Sequence, residues 1–255
     1  MSEKVVLVGV GEMGGVFARG ILKNGFPIYP VTRTMNMNEV HKKVLNPKSV
    51  VVSVGEKDIA QILKTLPAEW KDKLVLLQNE LLPRDWQAYN IINPTVISIW
   101  FEKKQPNDFK VIIPSPVFGP QAGFVYDSLE KLGIPCHQLK NENELLFELV
   151  LKNVYILTTN ICGLETGGSV GELWTDHQAL ARGVANDVMD IQFSLIQQEF
   201  DRDKLIEQMV AAFNGDKDHK CMGRSAPGRL QRSLQQADEA GLKVEKLRNI
   251  AKVTK

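Results

Sequence analysis

Cysteine is scarce in this chain: Cys136, Cys162 and Cys221 are the three among 255 residues. They are widely spaced, odd in number and form no CxxC pair. That pattern excludes a disulfide framework and a cysteine-based zinc site, and it fits a reducing cytoplasm. The four histidines, His41, His137, His177 and His219, show neither metal-ligand spacing nor a Ser–His–Asp arrangement. Charge of one sign is lacking too. Thirty-one Lys and Arg oppose thirty Asp and Glu, for a net charge of +1. Nothing in that balance points to nucleic acid or to an acidic partner, so recognition must be local. No uninterrupted apolar run approaches the roughly 20 residues of a membrane span. No signal-peptide pattern precedes the first strand-like run. The expectation is a cytoplasmic protein with neither a membrane nor a nucleic-acid partner.

What is present is an ordinary globular composition, 44% hydrophobic and 24% charged, long enough for one large domain or two modest ones. The first half alternates short apolar runs with helical patterns. Strands are predicted at "KVVLVGV", "FPIYPVT", "SVVVSVG", "KLVLLQN", "TVISIWFE" and "FKVIIPS". Continuous β-branched runs, rather than strict alternation, indicate strands buried on both faces. Strand–helix alternation then predicts an α/β fold with a doubly wound, mostly parallel Rossmann sheet. From Asn141 onward no strand is predicted. A long helix ends at Gly167-Gly168, a second starts with Asp176 as N-cap, "DRDKLIEQMVAAF" is a third, and two shorter ones close the chain. The expected domains are 1–140, binding a nucleotide, and 141–255, all helical. Residues 214–228 read as a polar loop, mobile or functional by its length.

Gly9-x-Gly11-x-x-Gly14 follows a strand and opens a helix. The first glycine suits a tight turn, the second lets backbone approach a pyrophosphate, and the third lets helix and strand pack closely. Glu12 and Met13 open the helix whose free N–H groups bind phosphate. About 20 residues on, an NAD site wants a carboxylate for the ribose 2′-OH. Here "PVTRT" has none. Arg33 can instead pair a 2′-phosphate, with Thr32 or Thr34 adding hydroxyls, so NADP is favoured over NAD. Gly55 and Asn79 follow later strands at the ligand edge of the sheet. Asn79 reads equally as a turn or cap residue.

The helix beginning near Asn141 is apolar nearly all round, yet carries Lys152, Asn153, Thr159 and Asn160. Lys152 and Thr159 share a face, as do Asn153 and Asn160. Buried polar groups need partners, and a ligand is one such partner. The plainer alternative is a solvated strip, with Glu148 paired to Lys152 four residues on and the asparagines bonding neighbouring helices. Cys162 reads as core, and Cys221 as exposed in the polar loop.

The chain resembles the ketopantoate reductase (2-dehydropantoate 2-reductase) family, within the 6-phosphogluconate-dehydrogenase-like group. The resemblance is carried by the glycine loop, "TR" after strand two, "QNE" after strand four, "LKNVYILTTNICGLETGGSVGEL" and "RSLQQADEAGLKVEKLRNI". It implies a Rossmann domain, a helical domain, a site in the cleft between them, and reduction of a 2-oxo acid by NADPH in pantothenate biosynthesis. By the same resemblance Lys152 is the catalytic lysine, Asn79 lies near nicotinamide and substrate, and Asn160 binds substrate. The chain departs from the family at Ile156, where an asparagine is usual, and near Ser225, where an essential glutamate is usual.

The expected reaction is hydride transfer to the carbonyl of a small 2-oxo acid, with Lys152 supplying the proton. Thr159 and Asn160 orient the substrate, and Arg224 with Ser225 is the candidate for its carboxylate. A solvated loop cation is the commoner reading of Arg224, since surface arginines are the usual case. Two alternatives stay open: a reductase of another keto acid, β-hydroxy acid or imine, and a non-catalytic NADP(H)-binding sensor or partner protein. A homodimer through the helical domain follows only by analogy.

Overall fold

The computed structural model describes residues 3–105 and 108–253. The backbone divides into two compact units, Met1–Glu148 and Leu149–Lys255.

The first unit opens with β1 (Val5–Val8), α1 (Glu12–Lys23), β2 (Ile28–Val31), α2 (Met37–Lys43), β3 (Ser49–Val52), α3 (Ile59–Thr65) and β4 (Leu74–Leu76). A short α4 (Pro83–Gln87) leads to β5 (Thr95–Ile97), β6 (Phe101–Gln105), β7 (Asp108–Val111), β8 (Ser115–Phe118), α5 (Ala122–Glu130) and β9 (Cys136–Gln138). The main sheet runs β2-β1-β3-β4-β5-β8-β9. Its first five strands are parallel, and β8 joins β5 antiparallel. All residues of β1 and β3 are buried, as continuous β-branched runs require when helices cover both faces. The core over one face gathers Val5, Leu7, Val51, Val75 and Ile97 from the sheet with Val16, Phe17 and Ile21 from α1 and Leu129 from α5. Each such side chain contributes about 1.5–3 kcal/mol by leaving water.

Two strand predictions need correction. "TVISIWFE" is not one strand. Its first three residues pair in the main sheet, and Phe101 onward forms an antiparallel hairpin with β7, which is how "FKVIIPS" is used. The sequence reading also overlooked β8, because Pro116 sits in its middle and proline argues against an interior strand. The Pro116 carbonyl still joins the ladder, accepting from the Ser98 N–H.

The second unit continues from α6 (Glu142–Thr166) into α7 (Val170–Asp176), α8 (Gln178–Ile196), α9 (Arg202–Gly215), α10 (Ala226–Glu239) and α11 (Glu245–Val253). Asp176 is not an N-cap. It ends α7, an extra short helix, and α8 starts at Gln178 with His177 as its N-cap. The cap that starts α7 is a capping box: Ser169 Oγ accepts from Glu172 N–H at 3.3 Å, and Glu172 Oε2 accepts from Ser169 N–H at 2.8 Å. Among the described residues, α6 alone is long and apolar enough to cross a membrane by composition, with a mean hydropathy of 1.4 over its most apolar stretch. Since 78% of that stretch is buried, it reads as a core helix.

The segment 214–228 is pinned rather than loose. Val170 N–H donates to His219 O at 2.8 Å, and Cys221 N–H donates to Gly168 O at 3.1 Å. Cys221 is therefore fully buried, not exposed. Burial pushes its thiol up to about 11, so it stays protonated and unreactive at neutral pH.

Candidate functional site

In the first unit, the chain leaves β1 through Gly9, whose φ of +88° a side chain rarely adopts. Added β-carbons show what each glycine of the loop does. At Gly9 a Cβ would lie 2.8 Å from Ser53 O, and at Gly14 2.3 Å from Gly9 O. At Gly11 a Cβ would meet nothing within 4 Å. Gly9 and Gly14 are thus demanded by the chain's own packing, whereas Gly11 faces open space. Ser53, which the sequence reading overlooked, fastens the loop: its hydroxyl donates to Gly9 O at 2.6 Å. Gly11 is the N-cap of α1 and provides no side-chain cap. The N–H groups of the first turn, including those of Glu12 and Met13, have no intrahelical acceptor.

A cavity of about 920 Å³ opens over this loop. Gly9 and Gly11, Thr32 and Arg33 after β2, and Ser53 and Gly55 after β3 line it. Open space at Gly11, uncapped donors and the size of the cavity fit a dinucleotide. Arg33 is 87% exposed, and its Nη2 lies 3.2 Å from Asp58 Oδ2. An acid absent from "PVTRT" is thus supplied by a later segment. Thr32 Oγ1 lies 3.4 Å from Thr34 Oγ1. Asn79 is not among the cavity-lining residues. Its amide donates to Glu56 Oε1 at 3.2 Å. Its neighbour Gln78, also overlooked, is buried and donates to Val52 O at 2.7 Å and Val54 O at 3.2 Å, tying β4 to the end of β3.

In the second unit, Lys152 is 8% exposed on α6, with Nζ 5.6 Å from the Tyr155 ring centroid. Burial, and secondarily the charge of Arg229, lower its pKa from 10.5 to about 7. Arg229 projects from α10 and is itself buried; Nη1 donates to Asn160 Oδ1 at 2.7 Å. The Asn160 amide donates to Cys221 O at 3.1 Å. One helix-borne lysine, one guanidinium and an asparagine bonded at both ends form a fixed cationic cluster.

Other expected site residues are used differently. The Thr159 hydroxyl donates back to Tyr155 O at 2.9 Å, within its own helix, so that donor is spent on α6. Asn153 donates to Gln192 Oε1 at 2.8 Å and fastens α6 to α8. Arg224 and Ser225 are both exposed, Ser225 as the N-cap of α10. Arg229, one helical turn beyond Ser225, is the arginine that bonds Asn160. It carried a signal in the sequence: Ala226, Arg229, Leu230, Ser233 and Ala237 recur at helical spacing on the buried face of α10. An arginine within an apolar stripe needs a partner.

No protein-family model matches the sequence, and no curated protein matches it in sequence. Solved structures do match in fold. A 2-dehydropantoate 2-reductase from Methylococcus capsulatus superposes with a TM-score of 0.70 at 12% identity, over 98% of this chain and 95% of that one. A dimeric ketopantoate reductase from Staphylococcus aureus gives 0.67 at 12% identity, over 98% and 97%. A D-mandelate dehydrogenase in complex with NADH gives 0.65 at 12% identity, over 98% and 97%. The resemblance read from the sequence is matched along the whole chain: this protein has the fold of the ketopantoate reductases.

Proposed function

We propose that this protein is an NADPH-dependent reductase of a small 2-oxo acid, of the ketopantoate reductase type. Residues 1–140 bind the nucleotide, and 141–255 carry the substrate and the catalytic lysine. The observation that carries this reading is Lys152, a lysine buried on a core helix and held near neutrality by burial and by Arg229. Gly9, Gly11 and Gly14, the first-turn N–H groups of α1, Thr32, Arg33 and Gly55 hold the nucleotide. A reduced nicotinamide bound there supplies the hydride. Lys152 donates a hydrogen bond to the substrate carbonyl oxygen and gives up its proton as that oxygen gains charge. A pKa of about 7 suits a proton donor working at neutral pH. Arg229, oriented by Asn160, supplies the buried positive charge that attracts the substrate carboxylate, in place of the exposed Arg224. The protein acts as a homodimer in the cytoplasm.

The test is a panel of 2-oxo acids, ketopantoate included, followed by NADPH absorbance. Turnover of at least one is the expected result. Tight NADPH binding without oxidation by any panel member would overturn the enzymatic reading in favour of a nucleotide sensor. The panel also decides a second reading, a reductase for a different keto acid. It is favoured by Arg229 lying one turn beyond Ser225, which stands where the family has a glutamate.

Arg229 makes a further prediction. In Arg229→Gln a neutral amide replaces a cation while a donor toward Asn160 remains. Removing the positive charge raises the Lys152 pKa. The pH at which kcat falls by half therefore moves upward from about 7. KM for the oxo acid rises by about tenfold or more with loss of a charge-assisted bond. A pH–rate series on both proteins checks the two effects separately.

A further inference from the structure

The cavity over the glycine loop contains a pair that the sequence motif did not foreshadow. Among the described residues that line it, Arg33 and Lys64 are the cations and Asp58 is the acid. Arg33 is bonded to that acid, Nη2 to Oδ2 at 3.2 Å. Asp58 is itself held in place: it ends the short 3-10 turn Glu56–Asp58, with its N–H donating to Gly55 O at 3.0 Å. The Asp58 carboxylate makes no capping bond to α3, which begins at the next residue. Its placement serves the cavity and Arg33 rather than the helix.

A 2′-phosphate carries nearly two negative charges and is recognised by a guanidinium fork. A carboxylate already on that fork competes with the phosphate for Arg33 and repels it. A free 2′-hydroxyl has the opposite need, an acceptor, and a carboxylate supplies one. We propose that Asp58 sets the nucleotide preference of this site, restraining Arg33 and lowering the advantage of NADPH over NADH. This rests on the reading of the cavity as a nucleotide site. It makes the preference a balance between two residues 25 positions apart, not a property of Arg33 alone.

The experiment is calorimetric titration of the intact protein with NADPH and with NADH, for wild type, Asp58→Asn and Arg33→Leu. Asn is near-isosteric and both side chains are partly exposed, so the variants should fold as wild type does. Asp58→Asn is expected to tighten NADPH by about 3- to 10-fold, as removal of one like charge at close range in solvent implies. NADH should be unchanged or weaker. Arg33→Leu should weaken NADPH and spare NADH. An unchanged NADPH-to-NADH ratio in Asp58→Asn, with wild type binding both, overturns the role of Asp58 while leaving the nucleotide site standing. Failure of wild type to bind either nucleotide overturns both.

Discussion

Lys152→Ala is expected to lower kcat by about 10²- to 10⁴-fold, the usual worth of a positioned proton donor, and to leave the NADPH Kd unchanged. The residue belongs to the helical unit, whereas the cavity proposed for the nucleotide is lined by segments that follow β1, β2 and β3 in the other. Steady-state kinetics together with a binding titration separates the two effects. Unchanged turnover would end the role of Lys152. The wild-type pH profile gives a second check. Reduction needs the protonated amine, so with a folded pKa of about 7 kcat should fall as pH rises through 7. An ordinary exposed lysine would hold its rate to beyond pH 9.

The same shift fixes the sign of a stability effect. In the unfolded chain Lys152 has its ordinary pKa of 10.5, and in the fold about 7. Between those values the unfolded chain binds more protons, so this residue's contribution to stability rises with pH across that window. Below pH 7 its full penalty is present, because a charged amine must be kept out of water. Lys152→Met keeps the length and removes the charge. It should stabilise the fold at pH 6 by on the order of 1–4 kcal/mol, with the gain shrinking toward pH 10. Thermal denaturation of both proteins at several pH values tests this. A variant that is inactive yet more stable shows that the lysine is kept for chemistry.

A second large effect is expected from a pair of alanine substitutions in the glycine loop. Gly11→Ala should fold normally, within about 0.5 kcal/mol of wild type, because its new methyl meets nothing within 4 Å and its φ of −70° suits any residue. In the proposed nucleotide site that methyl takes the space of the pyrophosphate, so NADPH affinity should drop by about tenfold or more. Gly14→Ala should do the reverse in cause. Its methyl would lie 2.3 Å from Gly9 O and 2.8 Å from Ser53 Oγ. The loop must shift, at a cost of about 1–3 kcal/mol, and nucleotide binding is lost through the damaged fold. Melting curves with and without NADPH distinguish the two. If Gly11→Ala binds NADPH like wild type, the loop is a packing turn and not a phosphate cradle.

Much of the fold could be read along the chain because its signals are local. β1 and β3 announce themselves as unbroken β-branched runs, since parallel strands are covered on both faces. α6 does so by an apolar circumference ending at a glycine pair, and Asp201 caps α9 by accepting from Lys204 N–H. Some local signals were present but passed over. "SVGE" spells the capping box that starts α7, and the position of Arg229 in an apolar stripe marked it as buried. The glycine loop, too, is local: a strand, a turn and a helix start within ten residues.

What the sequence by itself determined was therefore the α/β-then-helical order, the glycine turn between β1 and α1, and the candidate lysine. Only the tertiary structure decided the electrostatics around them. Asp58 reaches Arg33 from 25 positions away and Arg229 reaches Asn160 from 69. Pairs so distant along the chain leave no periodicity between them. They are set by which strand ends and helix faces the packed core brings together, and that is where the charge at both candidate sites is fixed.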